Sequence, residues 1–244
     1  MIPRLLVATP LHPDLPVTLN REEERYLLKV LRLDAGAPVV LLDGTGGEWP
    51  GEVAAVRPRV LIHLSGHRPV ARESPLAITL VAGLARSAPM EWVIQKAVEL
   101  GVATVVPLVT RRSVSRPDAR QAANKLERWQ RIAREAVEQC GRTRLPLIHP
   151  PVAWPELPPL LPGGPRLLFW EEARENGGLG RLPAPGPTLT LLTGPEGGLD
   201  PAEVAAARDG LGFVTVGLGP RILRAETAAI TVLAMAQTLW GDLA

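Results

Sequence analysis

Three polar side chains stand among glycines near the C-terminus of this 244-residue chain. Glu196 lies in Gly194-Pro195-Glu196-Gly197-Gly198, and Arg224 and Glu226 lie in Leu218-Gly219-Pro220-Arg221-Ile222-Leu223-Arg224-Ala225-Glu226-Thr227. A guanidinium can stabilise developing negative charge, and a carboxylate can accept a proton. Each segment follows an apolar strand, at 188–193 and 213–216, and opens a helix. Glycine admits a ligand close to the backbone because no Cβ blocks it. Strand ends in α/β sheets are where ligands usually sit. The pair therefore predicts a small-molecule pocket built largely from main chain, reaching back to Thr193.

Each turn also reads as a plain connector. Asp200-Pro201-Ala202-Glu203 is a helix start with a capping aspartate, proline at the first helical position and glutamate completing the box. That accounts for Asp200 and Glu203 but not for Glu196. Neither turn carries a Gly-Lys-Ser/Thr phosphate loop or a Gly-x-Gly-x-x-Gly fingerprint. A ligand here is expected to be held by backbone hydrogen bonds and apolar contacts.

Composition narrows the classes. Apolar residues make up 46% of the chain, enough for a sizeable core, and no apolar run reaches the roughly 18 residues of a membrane span. The N-terminus lacks the long apolar stretch of a signal peptide. Cys140 is the only cysteine, which excludes an internal disulfide and a Cys-based zinc site. His12, His63, His67 and His149 are too scattered for a metal site, so no metal is expected. The expectation is a cytoplasmic protein without membrane contact. Residues 111–144 carry ten Arg/Lys against four Asp/Glu, whereas 145–244 carry six against ten. A local excess of this size suggests a phosphate-backbone footprint, with a solvated helix face as the alternative.

The first 70 residues read as β-rich, with strands at 5–7, 39–42, 52–56 and 60–64 and a tight turn at Asp43-Gly44-Thr45-Gly46-Gly47. One helix intervenes, capped by Asn20 with Glu23 three residues on, its apolar face being Tyr26, Leu27, Val30 and Leu31. A small barrel over 1–70 follows. After a linker at 69–75 the pattern becomes strand–helix alternation over 74–244: strand 76–84, helix 89–100, strand 104–109, a basic loop at 111–117 and a long helix over 118–140. On that helix Ala122, Leu126, Trp129, Ala133, Ala136, Val137 and Cys140 form one stripe, opposite Arg120, Arg128 and Arg131. Strand 166–170 and the two glycine-turn units complete an α/β domain with a mainly parallel sheet. The six tryptophans are expected in the core.

The glycine segment 194–198 and the run Leu218-Gly219-Pro220-Arg221-Ile222-Leu223-Arg224-x-Glu226-Thr227-Ala228 resemble the RsmE family of SPOUT methyltransferases. The resemblance extends to Glu73-Ser74-Pro75-Leu76, Gln95-Lys96-x-x-Glu99-Leu100-Gly101, Glu138-Gln139-Cys140-Gly141-Arg142, Ile2-Pro3-Arg4 and Val30-Leu31-Arg32, and so covers essentially the whole chain. It implies methylation of uracil N3 in 16S ribosomal RNA. The implied fold is a PUA-like RNA-binding β-barrel (1–70) followed by a SPOUT domain (74–244) whose C-terminal part is a trefoil knot. It implies a homodimer and S-adenosylmethionine as cofactor, held around Thr193, Gly194, Glu196, Gly197, Gly198, Leu218, Gly219, Leu223 and Thr227. The sequence departs from the family at Arg86-Ser87-Ala88-Pro89-Met90, where a basic, glycine-containing turn is usual.

On this resemblance Arg224 positions the base or its oxygens, and Glu226 is the candidate proton acceptor. The alternative is that both only stabilise the knot, pairing with each other or with loop carbonyls. For ribosomal RNA or the 30S subunit the candidate contacts are Arg4, Lys29, Arg32, Arg86, Lys96, Arg111, Arg112, Arg142, Arg144 and Arg221. A different SPOUT target, such as a ribose 2′-hydroxyl, and a non-catalytic RNA-binding protein remain the competing readings.

Overall fold

The computed structural model describes residues 2–173 and 178–243. The chain divides into two compact units, one of Met1–Glu73 with Arg134–Leu145, the other of Ser74–Ala133 with Pro146–Ala244.

The first unit is built on β1 (Arg4–Leu6), β2 (Val17–Thr18), β3 (Pro38–Leu42), β4 (Trp49–Ala55) and β5 (Leu61–Leu64), in the order β1-β3-β4-β5-β2. β1 and β3 are parallel, and the other neighbours run antiparallel. Their inward residues Leu5, Val39, Leu41, Val53 and Ile62 form one core with Leu19 and Leu27. Helix α1 (Arg21–Arg25) starts as its capping box predicts, Asn20 accepting from the Glu22 and Glu23 amides while Glu23 accepts from the Asn20 amide. The apolar face beyond it is not the expected one. The chain widens into a π turn over Tyr26–Val30, and the extra residue rotates Val30 out to 62% exposure while Leu28 packs on the core. Arg32 ends this turn with a positive φ of 54°.

Residues 134–145 close this unit. Glu138 accepts the Leu6 amide at 2.8 Å, and Arg134 donates to the Leu6 carbonyl. Arg142 donates through Nε and Nη2 to Glu73 Oε2, and Glu73 Oε1 accepts the Thr143 and Arg144 amides. Gly141 sits at φ +79°, where a Cβ would crowd the Arg72 and Arg4 guanidiniums.

The second unit is a parallel sheet. Its strands are β6 (Ala77–Gly83), β7 (Thr104–Val109), β8 (Leu147–Ile148), β9 (Val152–Ala153), β10 (Arg166–Phe169), β11 (Thr188–Thr193) and β12 (Val214–Val216). The order is β12-β10-β11-β6-β7-β8, with β9 also paired to β7. Both faces of such a sheet are covered, so β6 is buried at every position from Ile78 to Gly83. Its helices are α2 (Ser87–Glu99), the part of α3 (Ala119–Cys140) up to Ala133, α4 (Pro201–Ala205) and α5 (Ala225–Trp240), the rest of α3 belonging to the first unit. Helix α2 begins two residues before the expected Pro89. That proline takes the third helical position, where its missing N–H has no intrahelical role. The α3 stripe is buried at Trp129, Ala133, Ala136 and Val137, and only half-buried at Ala122 and Leu126. The two-residue strands β8 and β9 are too short to leave a periodicity.

α5 is held by a buried glutamine. Gln237 accepts from Ser74 Oγ at 2.7 Å and donates to the Leu100 carbonyl at 2.8 Å, and a Cβ on Gly101 would strike it. The Ser74 and Leu100-Gly101 motifs are thus packing features. Among the described residues no helix is long and apolar enough to cross a membrane.

Candidate functional site

The two glycine turns meet at one end of the parallel sheet. β10 lies between β11 and β12, with Phe169 in register with both Thr193 and Val216. The turns leaving β11 and β12 therefore emerge on either side of the end of β10. Between them is a cavity with about 700 Å³ of empty volume, a figure that includes the solvent at its open mouth.

Seven of the nine residues expected to hold a cofactor line this cavity: Thr193, Gly194, Glu196, Gly198, Leu218, Gly219 and Leu223. Gly197 instead packs on the Arg112 side chain, and Thr227 is exposed outside the lining. Arg221 lines the cavity. Arg224 and Glu226 flank Ala225, which lines it, without lining it themselves. Arg224 caps α5 with no side-chain hydrogen bond to the helix, and no ion pair joins it to Glu226 among the described residues. Phe169, Trp170 and Glu171 at the end of β10 complete the wall, and nothing local in the sequence marked them.

Several contacts fix the first turn. Gly198 adopts φ +72°, and a Cβ there would lie 2.8 Å from Glu171 Oε1. Glu196, unexplained by the local sequence, accepts the Arg86 amide through Oε1 at 2.9 Å and so ties the turn to the entry of α2. Arg112 Nη1 donates to the Gly197 carbonyl at 3.2 Å. Glu203 does more than complete a cap. Only 6% exposed, it accepts from the Asp200 amide, the Arg111 amide and Trp154 Nε1. The loops after β6, β7 and β11 are thereby locked together around the cavity mouth. Gly219 is at φ +89° with nothing within 4 Å of its Cβ position, leaving the second turn open.

The basic candidates separate by environment. Arg86, Arg111, Arg112 and Arg221 of the second unit are exposed. Arg111 also reaches Asp200 at 3.4 Å, and Lys96 pairs with Glu99 at 2.8 Å. In the first unit Lys29, Arg32 and Arg144 are exposed, whereas Arg4 pairs with Glu48. Arg142 is 6% exposed, and its bonds to Glu73 make it a structural residue, not a surface contact. The tryptophan expectation needs a similar correction. Trp129 is buried, but Trp92 is 59% exposed and Trp154 and Trp170 are half-buried on cavity walls. Among the described residues no group of His, Cys, Asp and Glu is arranged to hold a metal ion.

Comparison with known proteins bears on this geometry. An RNA methyltransferase domain family matches residues 72–237, and an RNA methyltransferase PUA domain matches residues 19–62. The ribosomal RNA small subunit methyltransferase E of Synechocystis sp. is 35% identical, over 97% of this chain and 77% of its own length. That of Bacillus subtilis is 32% identical, over 88% and 87%. The chain belongs to the RsmE family of SPOUT methyltransferases. Among solved structures, a methyltransferase from Legionella pneumophila with bound S-adenosylmethionine matches at TM-score 0.93 and 32% identity, covering 100% of both chains. The RsmE of Neisseria gonorrhoeae, also bound to S-adenosylmethionine, matches at TM-score 0.91 and 32% identity over 100% of both chains. The expected α/β class, a SPOUT domain preceded by a PUA-like domain, is the fold of this RsmE member.

Proposed function

We propose that the protein is an S-adenosylmethionine-dependent methyltransferase acting on N3 of a uracil in 16S ribosomal RNA. The observation that carries this reading is the cavity between the two glycine turns, in a chain whose relatives are small-subunit ribosomal RNA methyltransferases. The residues present suit the cofactor. Gly194, Gly198 and Gly219 bring bare main chain to the cavity, and Phe169, Leu218 and Leu223 supply apolar surface. Adenine and ribose can be read there by backbone groups without a phosphate cradle. Gly197 acts one step back, by seating the turn on Arg112, and Thr227 has no direct part.

When bound, the cofactor supplies an electrophilic methyl group on a sulfonium. The protein's task is to orient the uracil and to manage its N3 proton, whose pKa lies a couple of units above neutral. Arg224, at the N-cap of α5 and with no side-chain hydrogen bond among the described residues, holds the uracil oxygens and stabilises the imidate as the proton leaves. Glu226, in the first turn of the same helix, is on this reading the group that accepts that proton. Arg221 at the cavity, Arg86 after β6 and Arg111 and Arg112 after β7 form the phosphate-binding border, arginine being suited to bidentate phosphate contacts. Lys29, Arg32 and Arg144 provide the first unit's contribution to RNA binding, with Arg4 and Lys96 limited by their carboxylate partners.

The same reading gives a first domain over 1–70, a second over 74–244 with a trefoil knot, a cytoplasmic homodimer and the 30S subunit as partner. The exposed Trp92 on α2 and Leu239 on α5 are apolar surface available to a second copy. Titration calorimetry with S-adenosylmethionine, followed by methyl transfer to unmethylated 16S RNA, tests the proposal. Absence of both binding and transfer would contradict it.

A further inference from the structure

A second cavity of the same unit lies beside the turn-bearing segment 194–203. It has about 870 Å³ of empty volume, open to solvent, and its walls include Trp154, Pro155, Ala202, Ala206, Arg111 and Arg116. The indole of Trp154 is fixed at its edge, because Nε1 donates to Glu203 at 2.6 Å. It is half-buried, packs against the core cluster that contains Val152 and Leu157, and lines the cavity as well. Glu203 also lines the cavity, but its oxygens are already engaged by the Arg111 amide, the Asp200 amide and the indole. Arg116 Nη2 donates to the Arg111 carbonyl, which holds the guanidinium at the cavity with donors to spare. Arg111 has a side chain 67% exposed and a long 3.4 Å contact with Asp200.

We propose that this cavity receives an unstacked nucleotide next to the target uracil, its base against Trp154 and its phosphate on Arg111 and Arg116. The proposal rests on the RNA methylation reading given above. N3 lies on the Watson–Crick edge, so the target base must leave its pair and stack before it can react. Its neighbour then loses a stacking partner, and an aromatic side chain beside a cationic rim replaces that partner for any base. The position fits the need. Arg112, in the same loop as Arg111 and Arg116, donates to Gly197 of the cofactor turn, so the loop that lines this cavity also contacts that turn. A peptide ligand has less to gain, since two guanidiniums and one sated carboxylate favour an anion.

The test is methyl-transfer kinetics of the full-length protein on unmethylated small-subunit RNA, with Arg116→Ala and with Ala206→Glu. Ala206 is exposed on the cavity wall, so glutamate there fills the space and repels phosphate. Each variant should raise KM for RNA about tenfold while leaving kcat and the S-adenosylmethionine affinity in place. In the wild type, 4-thiouridine placed beside the target should photo-crosslink within residues 154–155 or 111–116. Unchanged KM in both variants, or crosslinks that avoid these residues, would overturn the proposal while the methylation reading stands. Wild-type protein that transfers no methyl group to RNA would instead overturn that reading and this inference with it. Tight capture of a peptide in the cavity that RNA cannot displace would also overturn it.

Discussion

Gly83, at the end of β6, lies against Pro195. A Cβ on residue 83 would sit 2.5 Å from Pro195 Cδ and 2.6 Å from the Gly194 carbonyl carbon. The first cavity turn therefore rests on a strand position that admits no side chain. Gly83→Ala should displace the turn, costing about 1–3 kcal/mol of stability from overpacking. It should also weaken S-adenosylmethionine binding about tenfold. Calorimetry and denaturant melts check both, and unchanged affinity would show that the turn tolerates displacement.

Glu203 is the buried acceptor for three N–H donors from three segments. Glu203→Ala leaves those donors without their acceptor beside a cavity that water can enter, so urea unfolding should show a loss of about 1–3 kcal/mol. Glu203→Gln retains one acceptor oxygen and should lose less.

Arg224 and Glu226 have no side-chain partners to lose among the described residues, so their replacement should alter stability by no more than about 0.5 kcal/mol. Arg224→Ala should lower kcat about 100-fold with RNA affinity intact, the size seen when one charge-stabilising donor is removed. Glu226→Gln should lower kcat by a similar factor. Full turnover in either variant would remove that residue from the chemistry.

Glu138 makes the first unit sensitive to pH. Burial raises its pKa above the ordinary 4.5, against the lowering effects of the Leu6 amide, Arg134 and the Tyr26 hydroxyl. The folded state then holds the proton to higher pH than the unfolded chain does. Its stabilising contribution is full below about 4.5 and is lost as pH rises through the folded value. Glu138→Gln cannot titrate, and its amide oxygen can still accept the Leu6 N–H. The variant's melting temperature should therefore gain on the wild type as pH rises from 4 to about 7. A difference that stays flat or falls across that range would contradict this.

The sequence disclosed what is local. Asn20 with Glu23, and Asp200 with Glu203, announce their helix starts because each box closes within three residues. The glycine turns were legible for the same reason, and seven of their nine singled-out residues line the cavity. Long-range pairing was not legible. Nothing beside Phe169, Trp170 and Glu171 says that β10 lies between β11 and β12, so the cavity's third wall was missed. Gly83 was missed likewise, since its requirement comes from Pro195. Arg142 shows the converse error: basic charge in a basic segment reads as a nucleic-acid contact until Glu73 is found beside it.

The most direct measurement is transfer of a labelled methyl group from S-adenosylmethionine to unmethylated 30S subunits, with the product mapped by reverse transcription and mass spectrometry. The account predicts one labelled uracil in 16S RNA that stops reverse transcriptase, because a methyl on N3 blocks Watson–Crick pairing. Label on a ribose hydroxyl, or no label despite intact cofactor binding, would contradict it.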